Sequence, residues 1–130
     1  MSDFGKALAI SASGLRAQAQ RLRHVSENIA NTDTPGYRRK SVPFETVAGF
    51  GADGGEVRTG RVRLDQSALT TIHDPSHPLA DAAGNYAGSN VDLLIEIADA
   101  REAQHSYEAN LKMFDQARQM SSSLLGLLRR

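Results

Sequence analysis

The chain has 130 residues, equal numbers of acidic and basic side chains, a formal charge of zero and no cysteine. This excludes a disulfide framework, thiolate chemistry and a cysteine-based zinc site, and it argues against a dedicated nucleic-acid binder, which would be basic overall. Leu, Ile, Val and Phe supply only 28 residues and tryptophan is absent, so one domain is possible but oligomerisation is a reasonable way to complete its core.

Residues 3–31 read as the first helix. Leu8, Ala12, Leu15, Ala19, Leu22, Ser26 and Ile29 recur at alternating steps of four and three, a heptad seam that Val25 broadens. Ser2 or Asp3 is placed to cap the start. Gly14 inside the run costs up to about 1 kcal/mol relative to Ala, a cost that close approach of another backbone would justify. The N-terminus lacks a basic region followed by an apolar core, so no cleavable signal peptide is expected. No apolar run approaches the ~18–20 residues that a membrane span needs.

Asn31 to Gly36 is the exit from this helix. Two asparagines, a Thr-Asp-Thr run and the Pro35-Gly36 pair are helix-ending chemistry, and the residue before proline, Thr34, is extended. Over residues 37–90 the texture changes. Glycines at 49, 51, 54, 55 and 60 prevent a long helix. Alternation over Arg61 to Leu64 and around Leu69 to Ile72 predicts short strands, a small hairpin. Val57 has the opposite parity to Val62 and Leu64, which predicts a bulge or turn near Gly60. This insert holds too few apolar residues to fold alone and is expected to be ordered by its neighbours.

Residues 91–128 read as the second helix. Ser89 with Asp92 resembles a capping box, with Asn90 an alternative cap. Leu93, Ile97, Ala100, Gln104, Tyr107, Leu111, Phe114, Arg118, Ser121, Leu125 and Leu128 keep four–three spacing, while Ala117, Met120 and Leu124 fill the adjoining face. So long a rod, with such spacing, points to coiled-coil packing. Residues 1–63 carry a net +4 and residues 64–130 a net −4, which suits the two ends packing together or on neighbouring copies. The expected fold is therefore mainly α: long N- and C-terminal helices in an antiparallel coiled coil, with a small irregular or β-hairpin insert. Its divisions are 1–36, 37–90 and 91–130.

Few residues invite chemistry. His73-Asp74-Pro75-Ser76-His77 could form a metal or acid–base site, but two prolines and the lack of a third ligand favour a polar extended loop. His24 and His105 read as solvated helix positions. The basic clusters Arg21 to His24 and Tyr37 to Lys40 are short and without aromatic interleaving, so acidic partners in a protein interface are favoured over nucleic acid. Glu96, Asp99 and Glu102 read as a solvated acidic face. No nucleophile triad or phosphate loop is present, and nothing supports an enzyme, a catalytic residue, a cofactor or a resident metal.

Asn28-Ile29-Ala30-Asn31 followed by Thr34-Pro35-Gly36-Tyr37-Arg38 resembles the N-terminal signature of bacterial flagellar rod and hook proteins. Asn90-Val91-Asp92, Glu96, Ser106-Tyr107-Glu108-Ala109-Asn110 and the leucine-rich end are similar to that family's C-terminal domain. The length, without a large outer domain, fits its small proximal-rod subunits. The resemblance implies a structural subunit of the basal-body rod that spans the periplasm, exported by the flagellar type III apparatus without a cleaved signal. It implies contacts with copies of itself, other rod proteins and the export apparatus, and no small-molecule substrate. The motif residues Asn28, Ile29, Ala30, Asn31, Thr34, Pro35, Gly36, Tyr37, Arg38, Ser106, Tyr107, Ala109 and Asn110 would then serve assembly.

Overall fold

The computed structural model describes residues 3–48 and 54–129. Helix α1 spans Asp3–Ala30 and helix α2 spans Leu93–Leu128. Between them lie β1 (Lys40–Ser41), β2 (Phe44–Thr46), β3 (Val57–Thr59), β4 (Arg63–Leu64), β5 (Thr71–His73) and β6 (Asn85–Ala87). The fold is thus mainly helical with a small strand-containing insert. The cap expected at Ser2 and the glycines at 49 and 51 lie outside the described residues, and Asp3 sits in the first turn of α1.

The insert is built from two hairpins. In the first, β1 pairs antiparallel with β4 and β2 with β3. Ser41 faces Arg63 and Phe44 faces Thr59, so two residues on one strand oppose three on the other. That one-residue excess falls at Gly60 to Val62, where the Gly60 N–H donates to the Pro43 carbonyl at 2.8 Å. It accounts for the change of parity between Val57 and Leu64. The second hairpin pairs β5 with β6, and Gly84 makes its return in a left-handed conformation (φ +84°) beside Pro75.

The two helices pack on each other in opposite order along the chain: Asn28 meets Glu96, Arg21 meets Asp99 and Glu102, and Gly14 meets Asn110. The seam is not the leucine seam expected. On α1 the packed stripe is Ser11, Gly14, Gln18, Arg21, Val25 and Asn28; on α2 it begins Glu96, Asp99, Ala103, Ser106 and Asn110. Each stripe keeps heptad spacing but lies one residue, about 100°, before the expected one. Leu8, Leu15 and Leu22 are consequently half-buried, Ile29, Leu93, Ile97, Leu111 and Leu125 are exposed, and Tyr107 and Phe114 are half-buried. The reason is close approach. Small and hydrogen-bonding residues let the backbones draw together, which leucines at the same positions would prevent.

The insert takes a further face of α1. The Val57 N–H donates to Ser13 Oγ at 3.0 Å and the Thr59 hydroxyl to Gln20 Oε1 at 3.2 Å. Ser13, Gln20 and His24 come one residue before seam positions, whereas the leucines come one residue after. Because the helices run oppositely, a step of one residue moves around to the same side of the pair on both. The insert therefore packs along α1 on one side of the helix pair, where Ile95 and Ala109 of α2 stay exposed, and the leucine stripes flank the other.

Gly14 marks a close approach of the two helices: a Cβ there would lie 2.9 Å from Asn110 Oδ1, whose amide donates to the Ser106 carbonyl at 3.0 Å. The approaching group is a carboxamide rather than the backbone expected. Gly14→Ala should therefore yield less than the roughly 1 kcal/mol that helix propensity alone offers. Denaturant titration in an Asn110→Ala background should restore the full gain; an equal gain in both backgrounds would contradict the contact.

Candidate functional site

The end of α1, the turn after it and the start of α2 meet in one polar cluster. Asn31 Nδ2 donates to the Glu27 carbonyl at 2.8 Å, Thr32 Oγ1 to the Ile29 carbonyl at 2.9 Å and Thr34 Oγ1 to Asn31 Oδ1 at 3.1 Å. Carbonyls at the C-terminus of the helix thus receive side-chain donors. Gly36 then takes φ +77°, and its N–H donates to the Gly88 carbonyl at 3.0 Å. The chain reverses and brings Tyr37 back over α1.

Asn28 holds the returning chain, and it is only 1% exposed. Its Oδ1 accepts from the Tyr37 hydroxyl and from the Lys40 N–H, both at 2.9 Å. Its Nδ2 donates to the Lys40 carbonyl at 2.9 Å and to Glu96 Oε2 at 3.2 Å. Only a carboxamide offers donors and acceptors on opposite arms in this way. Burial pushes the Tyr37 phenol above its ordinary pKa.

Glu96 is fully buried and Asp99 half-buried, which corrects the reading of these two as a solvated face; Glu102 is exposed. Arg39 Nε donates to Glu96 Oε1, and Arg39 Nη2 reaches Asp99 Oδ2 at 2.6 Å. Burial opposes the Arg39 charge, but the Glu96 hydrogen bond and the fields of Glu96 and Asp99 outweigh it and raise the guanidinium pKa. Arg21 Nη2 lies 3.5 Å from Asp99 and 3.3 Å from Glu102. Lys40 Nζ donates to Glu27 Oε2 at 3.1 Å, and that bond holds the Glu27 carboxyl below its ordinary value. These basic residues thus pair within the chain, where sequence reasoning assigned them to an interface. Their carboxylates lie up to 81 positions away, which no local pattern reveals.

The start of α2 also departs from expectation. Asp92 is the cap, accepting from the Leu94 N–H at 3.0 Å. Ser89 and Asn90 are employed elsewhere. The Ser89 hydroxyl donates to the Thr32 carbonyl, while Asn90 Oδ1 accepts from the Arg39 N–H at 2.7 Å and its Nδ2 donates to the Asp65 carbonyl at 2.9 Å. Arg38 Nη1 ties the same loop by donating to the carbonyls of Asp65 and Ser67.

The structure thus brings Asn28, Asn31, Thr34, Gly36, Tyr37 and Arg38 together and adds Arg39, Lys40, Ser89, Asn90 and Glu96. Pro35 is half-buried at the turn; Ile29 and Ala30 are exposed. Ser106, Tyr107 and Asn110 sit two to four turns further along α2, half-buried towards α1, and Ala109 is exposed. The histidines depart from expectation in one case. His105 is exposed, but His24 is buried and neither ring nitrogen has a hydrogen-bond partner. In the β5–β6 hairpin His73 Nδ1 lies 2.8 Å from Asn85 Oδ1, and His77 stacks on Tyr86 with centroids 3.9 Å apart. No helix among the described residues is long and apolar enough to cross a membrane.

Asn28→Asp tests the cluster without changing its shape. The second carboxylate would sit against Glu96 and the Lys40 carbonyl, so its folded pKa must rise above the unfolded value. Its contribution to stability is then retained below about pH 4 and lost as pH rises through the raised pKa. Denaturant titrations should show the variant weakest near pH 7 and closest to the parent near pH 4; a deficit independent of pH would contradict the geometry.

The same segments are the ones shared with known proteins. Residues 8–38 match the family model described as flagella basal body rod protein, and residues 82–127 match flagellar basal body rod FlgEFG protein C-terminal. The flagellar basal-body rod protein FlgC of Agrobacterium fabrum is 40% identical, covering 99% of this chain and 98% of the relative. That of Escherichia coli O6:H1 is 35% identical over 91% and 92%, and that of Bacillus subtilis 34% over 80% and 84%. The related rod subunit FlgB, the nearest competitor within the resemblance, is not favoured by these matches. The chain, with its helix-ending motif and its C-terminal helix both matched, belongs to the flagellar basal-body rod protein family, where the relatives above are FlgC proteins.

Proposed function

We propose that this rod-family chain is a non-enzymatic subunit of the proximal rod, polymerised through its terminal helices in the part of the basal body that spans the periplasm. The observation that carries this reading is the leucine flank. Leu93, Ile97, Leu111 and Leu125 stay exposed on one side of the helix pair, while the insert packs along α1 on the other. An apolar stripe of this length on a folded chain calls for protein partners, and copies of the chain or related rod proteins would supply them.

The paired helices form an antiparallel coiled coil directed to the inner wall of a tube, and the turn at Thr34 to Tyr37 sends the insert outward. The motif residues Asn28 to Arg38 and Ser106 to Asn110 serve this assembly by fixing the turn and the helix spacing. Delivery is through the flagellar type III apparatus, unfolded and without a cleaved signal. A thin apolar core and the absence of cysteine suit a chain that must be threaded before it folds.

Leu22→Asp and Leu111→Asp separate assembly from folding. Leu111 is 42% exposed, so its replacement should change the stability of the isolated chain by no more than about 0.5 kcal/mol. Cells carrying either variant should lack rods and fail to swim, while the purified Leu111→Asp chain keeps its helical circular dichroism. Normal swimming by both would overturn the reading.

A further inference from the structure

A cavity of about 370 Å³ opens between α1 and the first hairpin, on the insert side of the helix pair. Val25, Val42 and Phe44 give it an apolar wall, and Arg21, Arg39 and Lys40 face one lining anion, Asp99. His24 also lines it, 9% exposed and with both ring nitrogens unbonded. The nearest Glu27 oxygen is 3.7 Å from Nδ1, beyond hydrogen-bond reach. A buried imidazole left without partners is costly unless a guest satisfies it. Donors also remain on the cations: Lys40 gives one ammonium hydrogen bond to Glu27, and Arg21 uses its Nη2 group alone. The cavity therefore fits an apolar side chain accompanied by a carboxylate.

The chain itself carries that pair of groups. Glu108 and Leu111 are neighbours one turn apart on α2, both exposed, and among the described residues the Glu108 carboxylate has no ion-pair or hydrogen-bond partner. Leu111 lies on the flank opposite the insert and Glu108 on the back of α2, away from α1, so one molecule cannot fill its own cavity. We propose that the cavity is a socket for the Glu108–Leu111 face of a second copy of this chain. Leu111 packs against Val25, Val42 and Phe44, and the Glu108 carboxylate accepts from His24 and the spare donors of Arg21 or Lys40. Opposite net charges on the two halves of the chain favour this pairing. Because socket and guest occupy different faces, the contact is heterologous and propagates rather than closing into a dimer.

This inference rests on the rod-subunit reading and is tested separately from it. A photo-reactive benzoylphenylalanine in place of Phe44, incorporated in cells that still build rods, should cross-link to the peptide of a second copy containing Glu108 and Leu111. Since the chain has no cysteine, Phe44→Cys combined with Leu111→Cys should also give disulfide-linked chains on oxidation, whereas Phe44→Cys with Leu94→Cys should not. Glu108→Lys should remove the photo-cross-link. Cross-linking to another protein, to another segment, or not at all in assembled rods would overturn the socket while leaving the rod reading intact. If rods form in cells lacking the gene, the rod reading itself fails.

Discussion

A carboxylate with no exposure to solvent dominates this fold. Glu96 is completely buried near the start of α2, and an ion so placed is tolerated only when its oxygens are matched by donors. Asn28 from α1 and Arg39 from the strand-turn segment supply them. Neither residue can move without exposing the other two to an unpaired charge. The position of the turn, the register of α1 against α2 and the anchoring of the first hairpin all follow from that three-way contact. Removing one partner of such a buried pair typically costs about 3–5 kcal/mol, a large fraction of the stability of any domain this size.

The rest of the molecule divides into what this clasp closes and what it leaves open. Among the described residues, Ala17, Val25 and Ala103 are the buried apolar side chains, a very small core. Polar groups occupy much of the interior: Ser11, Ser13, Asn28, Ser89 and Glu96. Polar contacts fix orientation more than they add free energy. The large apolar side chains meanwhile stay on the surface, with Leu94, Leu127 and Leu128 more than 60% exposed. A chain organised in this way folds far enough to present a defined surface and leaves much of its apolar side-chain area exposed.

Both helices were legible because four–three periodicity survives whichever face is packed. The phase was not. Leucines at 8, 15, 22, 93, 97 and 111 drew the seam onto their own stripe, whereas the packed stripe one residue earlier holds Gly14, Asn28, Ala103 and Asn110. Gly14 was the available signal, since a glycine inside a helix is costly unless a neighbour needs its space. In the insert, alternation found β4 and β5, and the parity change found the bulge near Gly60. Strands β1 and β2 were missed because Lys40 to Thr46 begins in a basic run and contains a proline. Of the clasp, the helix-ending half was readable from local turn chemistry. Its acidic half was not, because Glu96 is buried by residues 57 and 68 positions away, and nothing local to α2 distinguishes it from a solvated glutamate.

Native-state hydrogen exchange on the isolated full chain tests the clasp most directly. If Asn28, Arg39 and Glu96 hold the fold, the Lys40 amide and the amides around Ala100 to Ala103 exchange together, at the rate of global opening, while residues 121–128 exchange much faster. Equally rapid exchange at Lys40 and in the last two turns of α2 would contradict that account.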